Sequence, residues 1–451
     1  MSTAYEALLR HVVWPAYEGG LRRRATPRYM RAYEREQWLA PERIEALRLE
    51  RLRALIDWCW REVPYYRRRW TELGMQPGDI RSLDDFARLP VLTKADIRAN
   101  ADDLEATSLK AGLGYKTTGG STGEPLRFGF TRESNDRRVA VMWRGYGWAG
   151  SRMGRRTLFL WGGAVGQTST AHRMKDRLYN AVFARHLLDS FHMSEHNLAG
   201  YADAIDAYRP EVIVGYVGPL VRLAEWLLAT GRRVARPVSI IGAAEALHPF
   251  QRDLIERAFS APTYNTYGCR EFMLIAAECE HRDGLHVNAD HLLVETLVDG
   301  RPVRQGSGEV TITDLFNRGM PFIRYVTGDM ATHATHRCAC GRGLPLLASV
   351  DGRTLDAIRT PAGHVLPGEF FPHMMKDVPG VTRFQLVQRR LDRLDLSIVR
   401  GPGFDEASVD YIRREVGKVL GDSAQLQCHF VDDIPLTRSG KLRVTVSELA
   451  S

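Results

Sequence analysis

Val212-Ile-Val214, Pro219–Leu228, Val238-Ser-Ile-Ile241 and Pro249–Phe259 follow one another as short apolar run, amphipathic stretch, short apolar run, amphipathic stretch. A strand covered on both faces is apolar at every position, whereas a helix laid over a sheet is apolar along one stripe only. Repetition of that pair predicts an α/β domain with mostly parallel sheet. Thr157-Leu-Phe-Leu-Trp161 reads as another buried strand of the same kind. Further on, His291–Val298 and Glu309–Thr313 have period-two character and predict an added antiparallel portion.

The flanks read differently. Residues 1 to about 75 are expected to be helical, with apolar spacing through Ile44, Leu47, Leu49, Leu52, Leu55 and Ile56, until Pro64-Tyr65-Tyr66 breaks the pattern. Thr93 is expected to cap a helix that opens at Lys94. After Asp351-Gly352-Arg353 the pattern changes again. Phe384–Val387 and Leu394–Val399 read as paired strands, Glu406–Leu420 as a helix and Gln425–Val431 as a strand. The expected fold is therefore a large N-terminal α/β domain over 1–352 and a small, mobile α+β domain over 357–451.

With 451 residues, 44% hydrophobic and 26% charged, the composition is that of an ordinary globular chain. No run of about 18 apolar residues predicts a membrane span. The first twenty residues lack the basic start, apolar stretch and small-residue cleavage site of a secretory leader, so a cytoplasmic location is expected. The net charge is +8, and only seven of the 62 basic residues are lysines. Basic runs at Arg22-Arg23-Arg24 and Arg67-Arg68-Arg69 fall in amphipathic helical stretches and match no nucleic-acid-binding motif, so no nucleic-acid partner is expected.

Thr117-Thr118-Gly119-Gly120-Ser121-Thr122-Gly123-Glu-Pro125 joins three glycines to four hydroxyls. Glycine permits the positive φ and close approach that turn backbone N–H groups into an anion nest, and the hydroxyls add donors. No Gly-Lys-Ser/Thr closes the segment, so it is not a Walker-type loop. Far downstream, Pro435-Leu-Thr-Arg-Ser-Gly-Lys441-Leu-Arg443 offers one of the scarce lysines on a short glycine turn. Together the two segments suggest that a cation on the small domain meets a phosphate held by the large one.

Six cysteines without a secretory leader do not suggest a disulfide framework. Cys279-Glu-His281 and Cys338-Ala-Cys340 are two short sets of soft ligands, suited to tetrahedral Zn²⁺ in a closed, structural Cys₃His site. His281 is the first choice as fourth ligand and His286 the rival, with His333 and His336 behind them.

Five segments together resemble the adenylate-forming superfamily of acyl-CoA synthetases, adenylation domains and luciferases, and within it the phenylacetate–CoA ligase branch and its capsular-polysaccharide-protein subgroup. They are Thr117–Pro125, Tyr264-Asn-Thr-Tyr-Gly-Cys-Arg-Glu271, Pro321-Phe-Ile-Arg-Tyr-Val-Thr-Gly-Asp329, Asp351-Gly-Arg353 and Pro435–Arg443, in the family's order. The resemblance implies ATP-dependent conversion of a small, compact or aromatic carboxylic acid to an acyl-adenylate, then transfer to coenzyme A. Transfer to an amine, a hydroxyl or a carrier-protein thiol is the alternative.

It implies that Lys441 contacts carboxylate and phosphate, that Glu271 holds Mg²⁺, and that Asp329 binds the ribose hydroxyls. Tyr267 stacks on adenine where Gly268 lets the backbone pass, Asn265 lies in the same nucleotide-binding segment, and Ala243-Ala244-Glu245 line the other side of the base. Arg353 meets ribose or phosphate beside a hinge at 353–356. Arg270 stands where the family usually has threonine or serine, and its guanidinium fork is expected to face phosphate or substrate carboxylate. Trp161, Tyr216–Pro219 and Ala243-Ala244 are the expected acid pocket, and the expected assembly is a homodimer.

Overall fold

The computed structural model describes residues 3–118, 126–162, 174, 178–190, 193, 195–245, 247–303, 305–353, 358–359, 361, 365–366, 370–375, 378–401, 403–420, 425–434 and 445–449. Two compact units emerge: residues 1–114 with 129–351, and residues 115–128 with 352–451.

The first unit opens with helices. Thr26–Glu36, Pro41–Glu62 and Pro64–Glu72 follow one another, and Ile44, Leu52, Leu55 and Ile56 are buried along the second. Pro64 breaks that helix and starts the next: Val63 is extended, and proline at the first helical turn gives up only an N–H that has no partner there. Thr93 caps helix Lys94–Ala99 through a reciprocal pair with Asp96.

The strands, in chain order, are β1 (Gly114–Thr117), β2 (Arg127–Phe130), β3 (Thr157–Trp161), β4 (Arg185–Asp189), β5 (Val212–Tyr216), β6 (Ser239–Ala243), β7 (Thr263–Cys269), β8 (Met273–Glu278), β9 (Leu285–Val287), β10 (Leu292–Val298), β11 (Arg301–Val303), β12 (Ser307–Asp314), β13 (Tyr325–His333) and β14 (Leu346–Arg353). Twelve of them form one sheet in the order β11-β10-β12-β13-β14-β9-β8-β7-β6-β5-β3-β4. The run β7-β6-β5-β3-β4 is parallel throughout. From β7 to β8 the pairing turns antiparallel. Helices Val217–Thr230 and Pro249–Phe259 are the crossovers, and they bury Leu220, Leu223, Leu227, Ile255 and Phe259 in one core with Leu158, Ile213 and Ile240.

Helix Arg132–Trp148 carries two buried arginines toward the antiparallel part. Arg138 makes two bonds to Asp314 at 2.9 and 3.1 Å, and Arg144 is paired with Asp290 and, at 2.6 Å, with Asn288. Removing one partner of such a pair would strand a charge in the interior, at a cost of about 3–5 kcal/mol.

In the second unit β17 (Val381–Arg390), β18 (Arg393–Arg400), β19 (Gln425–Phe430) and β20 (Thr445–Ser447) are ordered β19-β18-β17-β20, after the short pair β15 (Ile358–Arg359) and β16 (Val365–Leu366). Helix Glu406–Leu420 packs Ile412 and Val416 against Leu386, Leu394, Leu396 and Ile398. The same unit takes in residues 115–128, which include most of β1 and the first half of β2. Among the described residues no helix is long and apolar enough to cross a membrane.

Candidate active site

Parallel strands that share a direction bring their carboxyl ends to one edge, and ligands of open α/β sheets bind there. β3, β5, β6 and β7 are consecutive neighbours, and they end at Trp161, Tyr216, Ala243 and Cys269. Residues far apart in sequence thus meet along one edge. The Trp161 and Tyr216 rings lie 4.3 Å apart at 32°. After β6 the chain turns through Ala244, at φ 67°, and Glu245 accepts a 2.5 Å bond from the backbone N–H of Gly218 in the first turn of helix Val217–Thr230. Burial pushes the Tyr216 phenol up; Glu245 adds to the shift and Arg270 opposes it. Arg270 itself is exposed.

The β7–β8 hairpin carries the densest set of expected residues. The Asn265 backbone N–H donates to Glu278 at 2.8 Å, and Glu278 is gripped by both terminal nitrogens of Arg252 at 2.6 and 3.0 Å. Tyr267 is buried, and its hydroxyl donates to Asp329 Oδ2 at 2.7 Å. Burial, then the charge of Asp329, drives this phenol well above its usual range, so it stays a donor. Asp329 is also tied to its own strand, its N–H donating to Thr327 Oγ1 at 3.1 Å. Glu271 is buried and accepts a 3.0 Å bond from the Tyr325 hydroxyl. Gly268 has a local reason to be glycine: a Cβ there would stand 2.0 Å from the carbonyl oxygen of Met273, at the register shift between Tyr267 and Gly268. The hairpin therefore demands that glycine whether or not a nucleotide is bound.

On the β1–β2 stem, Thr118 closes the glycine-rich segment through Thr118 N to Leu126 O and Leu126 N to Thr118 Oγ1, both 2.9 Å, while Thr117 is exposed. Gly119, Gly120, Ser121, Thr122 and Gly123 lie outside the described residues, as do the 354–356 part of the hinge and Lys441. Arg353 is described by its backbone alone, as the last residue of β14.

The cysteine cluster closes with a different histidine from the first choice. Cys279, His286, Cys338 and Cys340 bring one ligand atom each within 4.8 Å of one another. His286, the rival, joins the three thiols. His281 does not; it lies exposed in the turn after β8, while His286 projects from β9, which pairs with β8 and β14. Cys279 Sγ is 3.6 Å from Cys338 Sγ, and Cys340 Sγ is 3.3 Å from His286 Nε2. His286 Nδ1 faces the Leu344 carbonyl at 3.4 Å, which fixes the tautomer that leaves Nε2 free to ligate. Burial lowers His286 to about 4, so its ring is neutral at pH 7. Burial raises the Cys340 thiol, but bonds from Arg342 outweigh it and the net shift is downward. Three soft sulfurs and one imidazole fit Zn²⁺ with tetrahedral closure.

Sequence reading gave Tyr325, Phe272, Glu278 and Arg252 no role. Tyr325 stands inside the Pro321–Asp329 segment, but only the fold brings its hydroxyl to Glu271.

The CapK C-terminal domain family matches residues 358–448. A phenylacetate–coenzyme A ligase of Thermus thermophilus is 28% identical over 400 residues, spanning 84% of this chain and 86% of that protein. A phenylacetate–coenzyme A ligase of Escherichia coli is 26% identical over 78% of this chain and 81% of its own length, and the protein CapK of Staphylococcus aureus is 23% identical over 80% of each. Among solved structures, a 2-hydroxyisobutyryl-CoA ligase in complex with 2-HIB-AMP and CoA superimposes with a TM-score of 0.64 at 23% identity, covering 92% of both chains. That likeness bears out the adenylate-forming-ligase fold, and the curated relatives bear out the branch that the motif order implied.

Proposed function

We propose, from its kinship with the phenylacetate–coenzyme A ligases and its CapK-type C-terminal domain, that this chain is an AMP-forming acid–thiol ligase. A carboxylate oxygen attacks the α-phosphorus of ATP, and the bond to pyrophosphate breaks. The thiol sulfur of coenzyme A then attacks the acyl carbon of the adenylate, and AMP leaves with the bonding pair.

One observation carries the reading: Glu271 and Asp329, two buried carboxylates, are each presented by a tyrosine hydroxyl on the hairpin and strand that adjoin the carboxyl edge of the parallel sheet. Asp329 accepts hydrogen bonds from the ribose hydroxyls, a charge-assisted pair that fixes the nucleotide. Glu271 would hold Mg²⁺, a hard cation that takes carboxylate and phosphate oxygens and neutralises the triphosphate. Ala243-Ala244-Glu245 and Tyr267 flank the base, and Trp161 with Tyr216 forms the wall met by a compact or aromatic acid. Arg270 reaches from the end of the same hairpin strand and attracts the acid's carboxylate.

Two anions must meet in the first step, so positive charge at the α-phosphate stabilises its transition state. Lys441 supplies it, and the hydroxyl and backbone donors of 117–123 cradle the phosphates. Cys279, His286, Cys338 and Cys340 would hold a structural Zn²⁺ with no open position.

Acid-dependent pyrophosphate release from ATP, screened over small aromatic and branched carboxylic acids, tests the reaction class. With the best acid, Lys441→Ala should reduce pyrophosphate release by roughly 10²–10³-fold, the effect of removing one preorganised charge stabiliser. Thioester formation from synthetic acyl-adenylate should be nearly unchanged. Equal loss of both half-reactions removes Lys441 from the first step; no release with any acid removes the reading.

A further inference from the structure

Tyr325 has no assigned part in the chemistry, yet its hydroxyl is 3.0 Å from Glu271 Oε1 at a buried position. Its ring is fixed on two sides. The Phe322 centroid is 5.1 Å away and that of Phe272, the residue after Glu271, is 5.9 Å away; all three rings are buried. The ring cannot turn without displacing aromatic neighbours in a close-packed interior. The hydroxyl therefore has one position, and Glu271 is beside it.

The residue before it sets that position. Arg324 has φ 51°, a left-handed conformation that is strained for a non-glycine residue and persists only where its surroundings over-determine it. Those surroundings are present. Arg324 N donates to Thr313 Oγ1 at 2.8 Å, its guanidinium reaches Glu295 at 3.2 Å and the Ala87 carbonyl at 2.5 Å, and it also meets the Leu89 carbonyl. Leu92 then clasps both sides, its N–H donating to Arg324 O and its carbonyl accepting from Val326 N, each at 3.0 Å. The kink at Arg324 thus decides how the chain enters β13, where Tyr325 is the first residue.

We propose that Tyr325 is a positioning residue: its phenol holds Glu271 Oε1, beside the Cys269 thiol that also meets this carboxylate, and so fixes the group that would bind the divalent cation accompanying the nucleotide, with Arg324 as the anchor that sets the phenol. This rests on the assignment of Glu271 as the Mg²⁺-binding carboxylate. The phenol donates throughout and transfers no proton. Its contribution is to fix the carboxylate's rotamer before the cation arrives.

The test is Tyr325→Phe in the full-length protein, which keeps the ring and removes the donor. Mn²⁺ binding in the presence of ATP, followed by electron paramagnetic resonance, needs no knowledge of the acid. Y325F should weaken that binding about ten-fold, the size expected for a hydrogen bond to a charged group, and leave both ATP affinity without metal and the melting temperature near wild type. Glu271→Gln should abolish the Mn²⁺ site. If E271Q weakens Mn²⁺ and Y325F matches wild type, the positioning role fails and the assignment of Glu271 stands. If E271Q leaves Mn²⁺ binding intact, that assignment fails and the role of Tyr325 with it. Should Y325F lose metal-free ATP affinity and melting temperature alongside Mn²⁺, Tyr325 is a structural residue and the proposal is overturned.

Discussion

His291 is fully buried, with its Nδ1 3.0 Å from the Tyr33 hydroxyl and its ring stacked on Phe316. Asp314, Asp290, Arg138 and Arg137 are the charges around it, and burial outweighs them all, lowering its pKa from 6.5 to about 4. Above pH 6.5 the ring is neutral in folded and unfolded chains alike, and no penalty arises. As pH falls below 6.5 the unfolded chain takes up a proton that the folded one refuses, so stability declines until about pH 4. The shift corresponds to a loss of roughly 3 kcal/mol. Urea midpoints at pH 7.5 and 5.0 should show His291→Gln losing markedly less than wild type over that interval; parallel losses would refute the assignment. Three arginines of the basic runs find partners at the same scale. Arg67 donates to the Trp60 and Arg61 carbonyls, Arg68 reaches Asp103 and Asn100, and Arg24 lies within 4.0 Å of Glu18 and Asp136. Those guanidinium groups serve the fold.

At the scale of elements, the loop after β13 is held by more than the four soft ligands. Gly343 N donates to Gln37 O at 2.9 Å, and a Cβ on Gly343 would stand 1.9 Å from the Leu39 carbonyl oxygen. Arg342 grips Glu280 at 2.9 and 3.1 Å and lies over the Trp38 and Trp148 rings, while the Trp148 ring meets His286 edge-on at 5.6 Å. A metal bound there would tie the N-terminal helices to the sheet through this knuckle. Purified protein should contain about one zinc per chain, and binding free energy would then be folding free energy. Chelation should lower the melting temperature by several degrees and change tryptophan emission, because Trp148 touches a ligand. Cys338→Ser should do the same without chelator. A wild-type protein free of zinc, or one whose melting and emission ignore the chelator, would end the proposal.

For the whole molecule, each unit has its own core, and the larger one alone contains Glu271, Asp329, Tyr267 and Tyr325. The acceptor of the acyl group is the question at this scale. With a productive acid, coenzyme A should be consumed mole for mole with AMP formed, and added amines should compete poorly. Preferential loss of an amine, a hydroxyl compound or a carrier-protein thiol over coenzyme A would reassign the second step.

The sequence alone was enough for the α/β alternation of 157–259, the helical start, the antiparallel addition and the C-terminal strand–strand–helix–strand pattern. Each of these is a local periodicity, and a period can be read without knowing what packs on it. Motif order was enough for the kinship, because it lies along the chain. The fourth soft ligand was not legible: His281 is nearer to Cys279 in sequence, but strand pairing carries His286 to the thiols and leaves His281 exposed. The link from Tyr325 to Glu271 and the burial of Tyr267 against Asp329 are likewise products of tertiary structure. Spacing fixes which residues share an element. Which atoms come within hydrogen-bond reach depends on sheet order and register, and those are settled only when distant strands pair.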